Sequence, residues 1–166
     1  MEAQLLTCAK TRVFNPDDPS KLLKINSFFD KGAVPHCWVT KRLAESLQLK
    51  ENPCHVWVTV FDTIPQKKES ADVRLGLRLS DGTHHYIDCK VVDKISPKPV
   101  KAIIAYSSDR KVNLDTDFLV PSFVEIDLLL DQRHCDIIKE DEGRRRLNSG
   151  FKLVPSKIGN LISGYG

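Results

Sequence analysis

One carboxylate in this sequence stands where an acid–base group could work. Residues 24–29 (Lys-Ile-Asn-Ser-Phe-Phe) alternate and then become apolar, which is typical of a strand, and they lead directly into Asp30, Lys31 and Gly32. Glycine tolerates the backbone angles of a tight turn, so the sequence predicts a strand that delivers Asp30 to a turn. A carboxylate held there can exchange a proton, although an aspartate in this position also caps turns in proteins without activity.

Short β-type segments dominate the chain and must position this carboxylate. Runs that alternate or are rich in β-branched residues predict strands at residues 4–14, 22–29, 55–61, 73–79, 85–92, 100–106, 124–130 and 151–154. Residues 80–83 (Ser-Asp-Gly-Thr) predict a hairpin turn. Helical spacing is found at residues 39–47, where Val39, Leu43 and Leu47 recur every four residues. The predicted fold class is all-β, mainly β with one or two short helices, in a closed or sandwiched arrangement.

Composition is that of an ordinary folded domain. The chain has 166 residues, of which 41% are hydrophobic and 28% charged, so residues 1–166 are predicted to form a single domain with its own core. The net charge of +3, from 25 basic and 22 acidic residues, is too even for a surface that tracks phosphates, and nucleic acid is not indicated as a partner. Without a stretch of membrane-spanning length or a signal peptide at Met1, the sequence favours an intracellular, cytoplasmic protein and no membrane partner.

Cysteine and histidine are adjacent in three places, which raises the question of a zinc site. The pairs are His36-Cys37, Cys54-His55 and His134-Cys135. Adjacent side chains of a strand point to opposite faces, so each pair could supply one ligand, and the spacings match no zinc motif. The sequence therefore predicts no metal and no cofactor. The five cysteines are odd in number and widely spaced, which fits reduced thiols.

Four motifs in the same order resemble the retropepsin-like aspartic peptidase domain of BEL/Pao-type retrotransposon polyproteins. The first is the segment 24–50, in which a strand, Asp-x-Gly, a linker and the helix motif Val-Thr-Lys-Arg-Leu-Ala-Glu follow one another. Residues 67–79 resemble the strand after the family's flap, residues 124–138 resemble its Ile-Asp-Leu-Leu segment, and residues 156–164 resemble its closing motif. The resemblance covers nearly the whole chain. It implies a closed retropepsin-like barrel, and a domain excised from a longer chain.

The resemblance assigns acid–base chemistry to Asp30. Two carboxylates about 3 Å apart share one proton in such enzymes, because like charges so close cannot both ionise; one then acts as a base on water and the other as an acid. A single-domain member contributes one carboxylate, so two chains would have to meet at Asp30 and Gly32. One interpretation is therefore an active homodimeric aspartic endopeptidase.

Three departures from the family favour a catalytically inactive module instead. Lys31 stands where the family carries a serine or threonine whose hydroxyl joins the two active-site loops, and an ammonium group has donors only. Asp131 replaces a glycine beside the active-site loop and adds a charge that needs a partner if it is buried. The predicted flap, residues 61–67, contains no glycine. The active-site motif is accordingly interpreted as degenerate.

An inactive module of this fold is expected to act in protein–protein interaction, with a protein partner or with a second copy of itself. Its edge strands and its cleft can receive an extended peptide by strand addition. The predicted contact residues are Lys31, Trp38, Phe61, Asp62 and Thr63. Trp57, in contrast, stands within an apolar strand and is expected in the core.

Overall fold

A computed structural model of the protein describes residues 7–30, 36–58, 64–96, 99–102, 122–138, 143–148 and 150–163. The strands in these residues are β1 (Cys8–Asn15), β2 (Asp18–Phe29), β3 (Cys37–Thr40), β4 (Asn52–Val58), β5 (Gln66–Arg78), β6 (His84–Val92), β7 (Val100–Ala102), β8 (Ser122–Val124), β9 (Leu128–Leu130), β10 (Arg145–Arg146), β11 (Lys152–Val154) and β12 (Leu161–Ser163). The helices are α1 (Lys41–Ser46) and α2 (Gln132–Ile138). The prediction of a mainly β fold with one or two short helices is confirmed.

Seven strands form the principal sheet, in the order β1, β2, β9, β3, β6, β5, β4. Most neighbours are antiparallel, but β9 runs parallel to β2 and β6 runs parallel to β3. β1 pairs a second time, with β5, so that six of the strands are joined in a ring of pairings while β4 lies outside it. Two smaller sheets, β10-β11-β12 and β7-β8, complete the described strands.

Most of the core is one large apolar cluster to which most strands of the principal sheet and helix α1 contribute, and a smaller cluster forms around Cys8, Ala102 and Ile126. β5 shows how the sequence builds it: Val73, Leu75 and Leu77 are buried, while Arg74 and Arg78 between and after them are exposed. This is the alternation expected of a strand with one face on the core. Burying each leucine of this kind stabilises the fold by about 1.5–3 kcal/mol.

The hairpin predicted at residues 80–83 is confirmed between β5 and β6. The backbone N–H of Gly82 donates to the carbonyl of Leu79 at 3.0 Å, and Asp81 accepts bonds from the backbone and hydroxyl of Thr83. Gly82 has a φ of +85°, which a residue with a side chain rarely adopts, so glycine is needed at this position. The turn sets the register in which β5 and β6 pair.

The helix predicted at residues 39–47 is shorter than its periodicity indicates. Val39 and Thr40 belong to β3, and α1 begins at Lys41. The Thr40 side chain accepts a hydrogen bond from the backbone N–H of Leu43 at 3.2 Å and so caps the helix. The prediction was wrong for Val39 because a buried strand residue and a buried helix residue cannot be distinguished by hydrophobicity alone.

Two further predictions are corrected by the arrangement of the strands. The strand predicted at residues 124–130 is divided into β8 and β9, because residues 125–127 leave the strand to bond with other segments. Trp57 is not a core residue: it is 70% exposed, whereas the adjacent Val56 is buried. β4 therefore turns the tryptophan outward and the valine inward. No helix among the described residues has the length and apolar character to span a membrane.

Candidate active site at the end of strand β2

Asp30 follows the last residue of β2 and is partly buried. Its backbone N–H donates to the carbonyl of Leu130, the last residue of the parallel neighbour β9, at 3.1 Å. One residue earlier, the N–H of Phe29 donates to the carbonyl of Thr7 at 2.9 Å. As the sequence predicts, an inner strand leads to Asp30, and bonds to neighbouring segments fix the backbone at this residue.

Strand β9 lies between β2 and β3 and joins two distant parts of the sequence. Leu128, Leu129 and Leu130 pair in parallel with β2, and the first two also pair with β3 in the antiparallel direction. Leu128 and Leu130 are fully buried. The segments 24–50 and 124–138, which carry the first and third sequence motifs, therefore form one continuous piece of sheet around Asp30.

Asp127 provides the main polar connection between these two segments. Its Oδ1 accepts a bond from the Thr40 hydroxyl at 2.6 Å, and its two carboxylate oxygens accept bonds from Nη2 of Arg42 at 2.8 and 2.9 Å. Its carbonyl accepts the backbone N–H of Thr40 at 3.0 Å. Asp127 is only 8% exposed, and Arg42 compensates the charge that burial would otherwise make costly. Thr40 and Arg42 of the helix motif thus hold the aspartate of the Ile-Asp-Leu-Leu motif.

Asp131, for which the sequence predicts a partner if it is buried, is fully buried and has that partner. Arg133 donates to its Oδ2 from Nε at 2.9 Å and from Nη2 at 2.6 Å, and the backbone N–H of His134 donates to Oδ1 at 3.4 Å. Burial opposes the charge, but the bonds from Arg133 and His134 lower the pKa of Asp131 below its usual range. The carboxylate is accommodated as an ion pair at the start of α2.

Two cysteines and two histidines lie near Asp131. Cys37 pairs with Cys89 across β3 and β6, and the Sγ of Cys37 accepts the backbone N–H of Asp131 at 3.5 Å. The bond from the Cys89 thiol is the main reason that the pKa of Cys37 lies below its ordinary value despite burial. His134 Nδ1 lies 3.1 Å from Nε2 of His85. Burial lowers the pKa of both histidines below the ordinary value of an imidazole.

Sequence reasoning missed this cluster. It treated the His36-Cys37 and His134-Cys135 pairs separately and allowed one ligand from each. The structure places Cys37 of the first pair beside His134 of the second, because β9 and the start of α2 pack against β3. Only the pairing of β9 with β3, which no local pattern specifies, could have revealed it.

Of the predicted contact residues, Trp38 is the one that the structure describes. Its ring is partly exposed on the face of β3 opposite Cys37 and lies edge-on to His36, with ring centroids 5.9 Å apart. Lys31, Gly32, Phe61, Asp62 and Thr63 lie outside the described residues.

An open groove of about 860 Å³ lies between Trp38 and strand β4. The residues that line it include Trp38, Lys41, Pro53, Val56, Ser70 and Val91. β4 is the last strand of the principal sheet, and within the described part of the chain it pairs with β5 alone. The groove is therefore bordered by the edge of a sheet, where backbone groups can bond to an added strand.

The chain belongs to the family described as "Putative peptidase (DUF1758)", whose model matches residues 11–165. This range includes Asp30, the Thr40–Asp127 connection and the buried Asp131. No curated protein and no solved structure matched the chain.

Proposed function

We propose that this protein is a catalytically inactive, retropepsin-like module, derived from the peptidase domain of a BEL/Pao-type retrotransposon, that binds an extended segment of a protein partner. Membership of a peptidase family supports the origin. The second pairing of β1, with β5, joins six strands into a ring and is compatible with the closed barrel of retropepsins. Five free cysteines suit a reducing compartment such as the cytoplasm.

The observation that carries this proposal is a carboxylate kept in place beside a residue that is unsuited to catalysis. Asp30 is fixed at the end of β2 by its bond to Leu130, and the residue that follows it is Lys31. A lysine cannot accept the bond that a serine or threonine hydroxyl forms between two active-site loops. An ammonium group beside two carboxylates also opposes the state in which they share one proton. The scaffold of the site is retained while its chemistry is lost.

Peptide binding is the use that remains for this scaffold. The outer edge of β4 offers backbone donors and acceptors to an extended chain, and the groove beside it offers Trp38 and Val56 as apolar contacts. Charged residues of both signs border the groove, among them Lys41, Lys68 and Glu69. Because these charges largely compensate one another, we infer a peptide that is extended and carries little net charge.

A second candidate function is that of an active homodimeric aspartic endopeptidase in which each chain contributes Asp30 and Gly32. A specific observation favours it: the buried Asp131 is neutralised by Arg133, so this departure from the family does not disturb the site with an unpaired charge. Lys31 remains an obstacle to this function, because it cannot accept the hydrogen bond between the two active-site loops.

The test is a peptidase assay of the purified chain between about pH 3 and 7, the range in which a shared-proton carboxylate dyad works. We expect no cleavage of a denatured protein substrate by the wild-type chain. Asp30→Asn is the control for contaminating proteases, and Lys31→Ser shows whether the lysine alone suppresses activity. The solution mass of each sample is measured in parallel, because a strict monomer cannot assemble the dyad.

Cleavage by the wild-type chain that disappears in Asp30→Asn would overturn the proposal and establish the endopeptidase. Cleavage that persists in Asp30→Asn would be assigned to a contaminant. Activity that arises only in Lys31→Ser would support the inactive module and identify Lys31 as the cause.

A further inference from the structure

We propose that Cys37, Asp131 and His134 form a zinc-binding site near the end of β2, where Asp30 lies. Their donor atoms, a thiol sulfur, a carboxylate oxygen and an imidazole nitrogen, all lie within 4.8 Å of one another. Sulfur, nitrogen and carboxylate oxygen are the ligands that tetrahedral Zn²⁺ takes in proteins. The proposal concerns a structural ion and is independent of the function proposed above.

The three donors come from separate parts of the chain and are brought together by the fold. Cys37 opens β3, Asp131 follows β9, and His134 lies in the first turn of α2. Cys37 and Asp131 are fully buried and His134 is partly buried. This cluster of mixed donors differs from a group of exposed acidic residues. Its donors are buried or partly buried, whereas exposed carboxylates are solvated by water.

The surrounding contacts would orient the ligands of a metal. Arg133 occupies Oδ2 of Asp131 with two short bonds, whereas Oδ1 has only the 3.4 Å bond from the backbone of His134. Oδ1 is thus the oxygen that can face an ion, while Arg133 fixes the carboxylate from behind. The contact between His85 and His134 holds the imidazole in the same way. Such outer partners are typical of protein metal sites.

Cys89 is a further thiol beside this group, although it is not one of the three residues whose donor atoms lie within 4.8 Å of one another. It pairs with Cys37 in the register of β3 and β6. Only 2% of Cys89 is exposed, so this side of the ion would be closed to solvent. An ion enclosed in this way is expected to have a structural role rather than a catalytic one.

The location of the site gives the ion a task. Asp131 directly follows Leu130, whose carbonyl accepts the backbone N–H of Asp30. An ion bound to Cys37 and Asp131 would join β3 to the end of β9 and so fix Leu130, the residue that binds the backbone of Asp30. Because the ligands are brought together only in the folded chain, zinc should raise the stability of the protein.

The test uses the full chain, stripped of metal, kept reduced with a phosphine and titrated with Zn²⁺ alone. We expect one tightly bound zinc per chain in native mass spectrometry and a zinc-dependent rise in the unfolding temperature. Cys37→Ser and His134→Ala should each weaken binding at least about tenfold. Cys54→Ser and His55→Ala provide matched controls, since this adjacent pair lies on β4 outside the cluster. Both controls should bind zinc as the wild-type chain does.

A second measurement avoids dependence on variants that fail to fold. Co²⁺ bound to the wild-type chain should show the thiolate-to-cobalt charge-transfer band in the near ultraviolet, and its ligand-field bands should be those of a tetrahedral ion. Absence of bound zinc in the wild-type chain, absence of the charge-transfer band, or full zinc binding by a folded Cys37→Ser variant would each overturn the proposal.

Discussion

Single side chains connect the two sequence motifs that build the site. Thr40 donates its hydroxyl hydrogen to Asp127, accepts the backbone N–H of Leu43, and bonds to Asp127 through its own backbone N–H. It therefore ends β3, caps α1 and anchors the segment before β9. The threonine and arginine of one motif and the aspartate of the other are therefore direct partners.

This role predicts the effect of a substitution at Thr40. Thr40→Val keeps the shape of the buried side chain but removes the helix cap and one bond to Asp127, so we expect the free energy of unfolding to fall by about 1–2 kcal/mol. Urea denaturation followed by circular dichroism measures it. Thr40→Ser retains the hydroxyl, and its free energy of unfolding should fall clearly less than that of Thr40→Val. Equal stability of the wild-type and Thr40→Val proteins would show that the Thr40 hydroxyl contributes nothing to the free energy of unfolding.

At the scale of elements, the contact between β1 and β5 depends on one glycine. Phe14 pairs with Gly76, and a Cβ atom placed on Gly76 would overlap carbon atoms of the buried Phe14 ring. The missing side chain at residue 76 makes the space that the ring fills. The pairing of β1 with β5 closes the ring of strands. The volume of the side chain at residue 76 therefore decides how closely β1 and β5 approach each other.

Gly76→Ala tests this interpretation, and the sign of the result is informative. In a strand without a steric conflict, alanine would stabilise relative to glycine by about 0.5–1 kcal/mol. Here we expect the variant to be less stable by about 1–3 kcal/mol, since the added methyl group overfills the core. The same substitution in a Phe14→Ala background should cost little, and a double-mutant cycle of unfolding free energies gives the coupling. Additive effects would show that the ring does not occupy this space.

At the scale of the whole molecule, we propose that peptides bind in the groove beside the open edge of β4. Trp38 is the aromatic group that lines it, and a large, partly buried aromatic side chain is the residue type that anchors interfaces. Phe123 is also exposed, at 74%, but it lies on β8 in a separate small sheet. The two residues therefore distinguish binding in the groove from unspecific binding to exposed aromatic surface.

We expect peptides selected from a display library of extended segments to lose about 2 kcal/mol of binding free energy with Trp38→Ala. Phe123→Ala should leave their affinity unchanged, and isothermal titration measures both. If Trp38→Ala bound as tightly as the wild-type chain while Phe123→Ala lost affinity, the interaction surface would lie on the β7-β8 sheet instead.

The sequence by itself determined the features that depend on local pattern. Alternation identified the longer strands and the hairpin at residues 80–83 but not β3, β10 or β12. The Asp-x-Gly motif indicated that Asp30 ends a strand, and the order of motifs indicated a family of peptidases. Such patterns are local because each records only which face of its own strand or helix is buried and where a turn must occur.

The tertiary structure alone decided which segments meet. It placed β9 between β2 and β3, gave Asp131 its partner Arg133, brought Cys37 to His134, and turned Trp57 away from the core. None of these follows from periodicity, because a strand's sequence specifies its buried face but not the strand that will lie beside it. The pairing of distant strands is set by the packing of the whole core, and it is this pairing that assembles the surroundings of Asp30.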